Sequence, residues 1–174
     1  MSPAIDLPVM EADRRRAILS ERTRRLSERR DTPDSERPVP VLVLIAGGER
    51  FALRLTDAAE VSVVRAAAIL PRSDPALLGL MDIRGTLCRV YDLALLCGLT
   101  APASRAAGHV VRIRGAEPIG LRVERAEAMT DIPPAGLRPD PESPPGRIGH
   151  RIRAGYTLIE PAALFSHPTL VKDI

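Results

Sequence analysis

From residue 39 onward, apolar and polar positions alternate with the short period of strands rather than the longer period of helices. VPVLVLI (39–45) is apolar and β-branched, AGGE (46–49) reads as a turn, and RFALRL (50–55) alternates as a half-buried strand does. Consecutive glycines supply the positive φ of a tight turn, so 41–55 is predicted to be a hairpin. HVVRIRGAEPIGLRV (109–123) has the same order of strand, glycine-containing turn and strand. Further hairpins are predicted at about 80–92 and 148–160, each running into a short helical piece, DLALLCGL and PAALFSHP.

The two halves also match residue by residue. A shift of 68 positions places Val43 on Val111, Ile45 on Ile113, Gly47 on Gly115, Glu49 on Glu117, Leu53 on Leu121, Arg54 on Arg122 and Ala58 on Ala126. These are seven identities in the 21 positions from Val41 to Val61, without a gap. The same shift pairs Val90 with Leu158, Asp92 with Glu160, Ala94 with Ala162 and Leu96 with Leu164. Two copies of one β module are expected, at about 39–99 and 107–166, each curling into a small barrel because a few short strands cannot bury both faces of an open sheet. In the second module DIPPAGLRPDPESPPG (131–146) carries six prolines, which donate no amide hydrogen to a ladder; an extended surface loop is expected there.

Residues 1–37 follow another pattern. From Glu11 to Arg30 there are eight Arg against four acids, with Ala12, Leu19 and Leu26 recurring every seven positions. That predicts a helix with a narrow apolar edge, too thin to stand alone, ended by the proline-containing linker DTPDSERPVP (31–40). Such an arm is either solvated or docked on a partner or on the body, and in the docked case Leu19 and Leu26 are its contact residues. Residues 169–174 read as a C-terminal tail.

Composition narrows the function classes. With 45% hydrophobic residues the chain can build a core, and with Phe51, Tyr91, Tyr156 and Phe165 as its only aromatics that core is aliphatic. The net charge of +3, with no stacking aromatics among the basic residues, does not point to nucleic acid. There is no signal-like start and no apolar run of about 18 residues, so a soluble cytoplasmic protein is expected.

Catalytic templates find nothing to match. Cys88 and Cys97 lack metal-ligand spacing and are expected to be buried reduced thiols; His109, His150 and His167 have no ligand or triad context. AGGER lacks the Lys-Ser or Lys-Thr of a phosphate cradle. Glu124 and Glu160 come from different hairpins, with nothing to bring them together. No enzyme, cofactor or metal is expected.

AEVSVVRAAAILPRSDPALLGLMDIRGTLCRVYDL (59–93) then becomes informative. It resembles the CheW-like family of chemotaxis coupling proteins in its Glu60-Val61 pair, its Leu70-Pro71, the run Gly79-Leu80-Met81-Asp82-Ile83-Arg84-Gly85, and Asp92-Leu93. IGLRVERAEAM (119–129) and IRAGYTLIEPAALF (152–165) continue the likeness, which covers 39–166 but not the arm. The resemblance implies a mainly-β fold: two SH3-like five-stranded barrels related by a pseudo-twofold axis, with short helices. It also implies a non-enzymatic adaptor, recruited to receptor arrays, that couples chemoreceptor cytoplasmic tips to the CheW-like regulatory domain of a histidine kinase. A receptor helix would then lie in an apolar groove between the modules. Carried over by position, the partner-binding residues are Ala58, Glu60, Val61, Gly79, Asp82, Arg84 and Gly85, while Leu87 and Val90 are expected in the core.

Arg84 has two readings: a guanidinium offered to a partner, or an internal pair with Asp82, Asp92 or Glu60. Four positions depart from the family pattern. Asp82 replaces an Asn, Arg89 a proline and Glu124 an Asp, and Ala58 is small for a groove residue; together with the arm they suggest an accessory chemosensory system. The alternatives are a CheW-like regulator that occupies array sites without coupling, and an anionic-surface or nucleic-acid binder acting through the Arg-rich helix.

Overall fold

The computed structural model describes residues 37–65, 67–71, 74–100, 104, 107–143 and 146–172. The expectations for the arm, including Leu19 and Leu26, lie outside the described residues.

Ten strands form among the described residues of the body, and local turn chemistry explains several of them. β1 (Val39–Ala46) and β2 (Glu49–Arg54) pair antiparallel up to Ala46 and Glu49, leaving Gly47 (φ 58°) and Gly48 (φ 76°) as a two-residue turn. Both central residues have positive φ, the turn whose twist matches the flanking strands. β3 (Ala58–Val63) follows, then β4 (Leu77–Ile83) and β5 (Thr86–Asp92), joined by a second two-residue turn at Arg84-Gly85. The second half repeats the order with β6 (His109–Ile113), β7 (Ile119–Val123), β8 (Arg125–Ile132), β9 (Gly149–Arg151) and β10 (Thr157–Ile159). Two of these, β3 and β8, were not foreseen from the residue pattern. β5 leads into α1 (Leu93–Leu96), with Asp92 as its N-cap accepting from the amides of Ala94 and Leu95. β10 leads into α2 (Pro161–Phe165).

The strands assemble into two five-stranded sheets, ordered β8-β1-β2-β10-β9 and β3-β6-β7-β5-β4. The 68-residue repeat turns one order into the other, as a pseudo-twofold relation requires. One expectation is corrected, however: a sequence module does not close its own sheet. The hairpin β1–β2 is completed by β8, β9 and β10 of the second half, and β6–β7 by β3, β4 and β5 of the first. Each exchange uses one antiparallel pairing, β1–β8 or β3–β6, and one parallel pairing, β2–β10 or β5–β7. The parallel registers coincide, since Arg89 lies opposite Ile119 and the repeat-related Thr157 opposite Phe51.

The core has three parts. Val41, Ala52, Ile132, Ile152 and Leu158 fill the first sheet; Met81, Ile83, Cys88, Val90 and Val110 fill the second. The largest cluster lies between the sheets and includes Leu44, Phe51, Leu53, Tyr91, Leu93, Ile113, Leu121 and Ile159. A fully buried side chain of this size contributes about 1.5–3 kcal/mol, so the shared cluster binds the halves into one body. The stretch from 169, expected as a tail, belongs to α3 (Pro168–Lys172), whose Leu170 is buried in that same cluster. The proline-rich stretch, expected as an extended loop, instead begins as the end of β8 and then turns, with Gly136 N and Leu137 N donating to Pro133 O, before Pro139 bridges to Ile152.

Candidate partner-binding site

Arg84 occupies the first position of the β4–β5 turn with φ 47°, a left-handed conformation that a non-glycine residue adopts at a cost. Gly85 follows at φ 82°, and its amide donates to Asp82 Oδ1 at 3.1 Å. The turn therefore lifts the Arg84 side chain off the sheet, where it is 81% exposed.

Of the three acids considered for an internal pair, the fold selects Glu60. Arg84 Nε lies 2.8 Å from Glu60 Oε1. That oxygen is buried and receives no aligned hydrogen bond, so the contact is a Coulombic pair rather than a directed one. Glu60 stands on β3 directly across from Arg112 of β6. Asp82 serves the turn, and Asp92 is buried with Arg122, its Oδ2 3.4 Å from Nη1. One edge of the guanidinium holds Glu60, and the rest faces solvent.

β3 and β4 are the two edge strands of their sheet. Between them runs a groove of about 280 Å³, lined by Val61, Ser62, Val63, Arg65, Asp82, Ile83 and Arg84. Val61 and Val63 are 38% and 58% exposed. The groove offers an apolar floor edged by charges of both signs. It lies within one sheet, between strands of the first half.

The sequence-derived residues thus divide. Glu60, Val61, Asp82, Arg84 and Gly85 gather at the groove and its turn. Ala58 does not offer a side chain to it, because it packs in the cluster between the sheets, and that packing sets its size. Gly79 is also buried; a Cβ there would meet the backbone oxygen of Ala68 at 2.2 Å, so it is a close-approach glycine beside the Ala68–Leu80 bridge. Val90 is core as expected, but Leu87 is 60% exposed, which overturns its core assignment. It lies across from Asp82 on the solvent face, whereas Cys88 lies across from Met81 on the inner face. The alternation of Cys88 and Val90 with Leu87 and Arg89 carried that signal.

Arg89, which takes a proline's place, donates its amide to Pro118 O at 3.0 Å and pairs with Glu117 through its side chain. Glu124 accepts from Gly47 N at 2.7 Å, tying a second-half acid to the first-half turn. The thiols are free; burial raises the pKa of Cys88, and burial followed by the Glu49 charge pushes that of half-buried Cys97 up to about 12. Among the described residues no group of three or more His, Cys, Asp or Glu could hold a metal ion, and no helix is long and apolar enough to cross a membrane.

A sequence profile described as CheW-like domain matches residues 40–166, most of the chain and all ten strands but the first residue of β1. The chain belongs to the CheW-like family. Among solved structures, the crystal structure of scaffolding protein TtCheW from Thermoanaerobacter tengcongensis is similar in fold, with a TM-score of 0.62 and 17% sequence identity. The match covers 71% of this chain and 89% of that one. No curated protein matches the sequence. The CheW-like fold accounts for the repeat, the paired five-stranded sheets and the short helices together.

Proposed function

We propose that the protein is a non-enzymatic chemotaxis adaptor that couples chemoreceptor cytoplasmic tip helices to the CheW-like regulatory domain of a histidine kinase, within a receptor array of an accessory chemosensory system. Membership of the CheW-like family supports the adaptor role. The observation that carries the contact surface is Arg84: a largely exposed guanidinium, lifted by a strained turn and steadied by Glu60 at the rim of an apolar groove. An amphipathic helix can lay Leu or Val side chains over Val61 and Val63, while a carboxylate on its flank meets the free edge of Arg84.

The test is a pull-down followed by calorimetric titration of the full chain against the kinase and the receptor tips of the same genome. Micromolar binding to both supports coupling. Binding to the kinase alone replaces coupling by the non-coupling regulator, and binding to neither refutes the adaptor reading.

A further inference from the structure

The outer edge of the first sheet carries a cluster of cations that the groove does not use. β9 is an edge strand, and the stretch Gly136–Asp140, leaving a turn, runs antiparallel along it and the turn that follows. Asp140 N donates to Arg151 O at 2.8 Å, Arg153 N to Arg138 O at 3.1 Å, and Ala154 N to Gly136 O at 3.1 Å. With Pro139 bridged to Ile152, this register sets Arg138 directly across from Arg153. Ile152 points into the core, so by alternation Arg151 and Arg153 point outward, and all three arginines are exposed.

Like charges directly opposite one another destabilise a sheet. Here two arginines stand directly opposite each other with a third two residues away. No side-chain hydrogen bond or ion pair of these three arginines is formed among the described residues. Asp140, across from Arg151, is turned to Glu142 N and Ser143 Oγ instead. Among the described residues the second sheet has no counterpart. Leu80 pairs with Arg89 as Arg151 pairs with the repeat-related Thr157, so the positions matching Arg151 and Arg153 are Leu80 and Asp82.

We propose that the Arg138, Arg151 and Arg153 edge is a docking surface for an acidic polypeptide segment, distinct from the groove at Arg84. Planar guanidiniums match carboxylates in bidentate fashion. A nucleic-acid strand fits less well, since Tyr156, the aromatic nearest in sequence, is packed against the Val41 and Ile152 cluster rather than free to stack on bases.

The experiment follows backbone amides of the full chain by NMR during titration with an octa-glutamate peptide, in wild type and in an Arg138→Gln, Arg153→Gln double variant. The expected result is shifts at the non-proline amides of 136–140 and 149–154, with site affinity at least tenfold weaker in the double variant and in Arg151→Gln. The melting temperature of the double variant is expected to equal or exceed that of wild type, because repulsion is relieved; a purely structural role would lower it. Shifts confined to other parts of the chain, or unchanged affinity in both variants, overturn the proposal. Tighter binding of an oligo-dT 12-mer at the same amides also overturns it, in favour of nucleic acid.

Discussion

Arg122 and Asp92 form a buried ion pair at 3.4 Å, and the sequence repeat carries both onto a second pair, Arg54 and Glu160, at 3.1 Å. In each pair the arginine comes from a hairpin of one half and the acid from a strand end of the other, so the two contacts mark the strand exchange. Their settings differ. Asp92 and Arg122 are buried, and the guanidinium also donates to Ala107 O and Ser104 O, pinning the connection between the halves. Arg54 and Glu160 are each about a third exposed.

That difference yields a prediction for stability. Asp92→Asn leaves a buried guanidinium without its counter-charge, at an expected cost of about 3–5 kcal/mol. Glu160→Gln, at a solvent-screened pair, should cost about 1 kcal/mol or less. Urea unfolding of the two variants checks this; equal losses would contradict the account of the buried pair.

The two glycines assigned to the partner surface should behave differently. Gly79→Ala places a Cβ 2.2 Å from a backbone oxygen at φ 133°, so the variant is expected to lose several kcal/mol or fail to fold. Gly85→Ala meets nothing within 4 Å and carries only the cost of its left-handed φ, about 1–2 kcal/mol. Circular dichroism melts distinguish them, and a mild Gly79→Ala would remove the close-approach argument.

Acid should weaken the fold through His167. Burial, then the nearby Arg147 charge, lowers its pKa from the ordinary 6.5, while Nδ1 accepts from Thr169 N at 3.3 Å. The unfolded chain therefore binds the proton more readily than the folded one. This contribution is fully present above pH 6.5 and is lost as pH falls through the lower folded value. Unfolding free energy measured against pH should show that decline in wild type and a flatter profile in His167→Gln.

The turn at Arg84 sets strain against contact. Arg84→Asn places a residue tolerant of left-handed φ there but gives up the pair with Glu60. The opposing effects should leave stability within about 1 kcal/mol of wild type. A larger loss on thermal unfolding would mean that the Glu60 pair, rather than partner contact, is the main role of Arg84.

Much of this was legible because it is local. Consecutive glycines at 47 and 48 announce a hairpin, and the repeat announces two equivalent sheets. The exchange between halves was not legible, since a repeat reads the same whether its copies pair within themselves or across. β3 escaped notice because AAEVSV (58–63) is half-polar at an edge, and its place beside β4 is what selects Glu60 among the three candidate acids. Ala58 and Gly79 share the groove's sequence motif but face inward, a distinction that only the packing reveals.

The most direct test of the central claim is calorimetric titration of Arg84→Glu against both the kinase regulatory domain and the receptor tips, with circular dichroism to show an intact fold. The account predicts a native spectrum and a loss of about 2 kcal/mol or more in binding, as for a buried arginine hot spot. Unchanged affinity for both partners in a folded variant would contradict it.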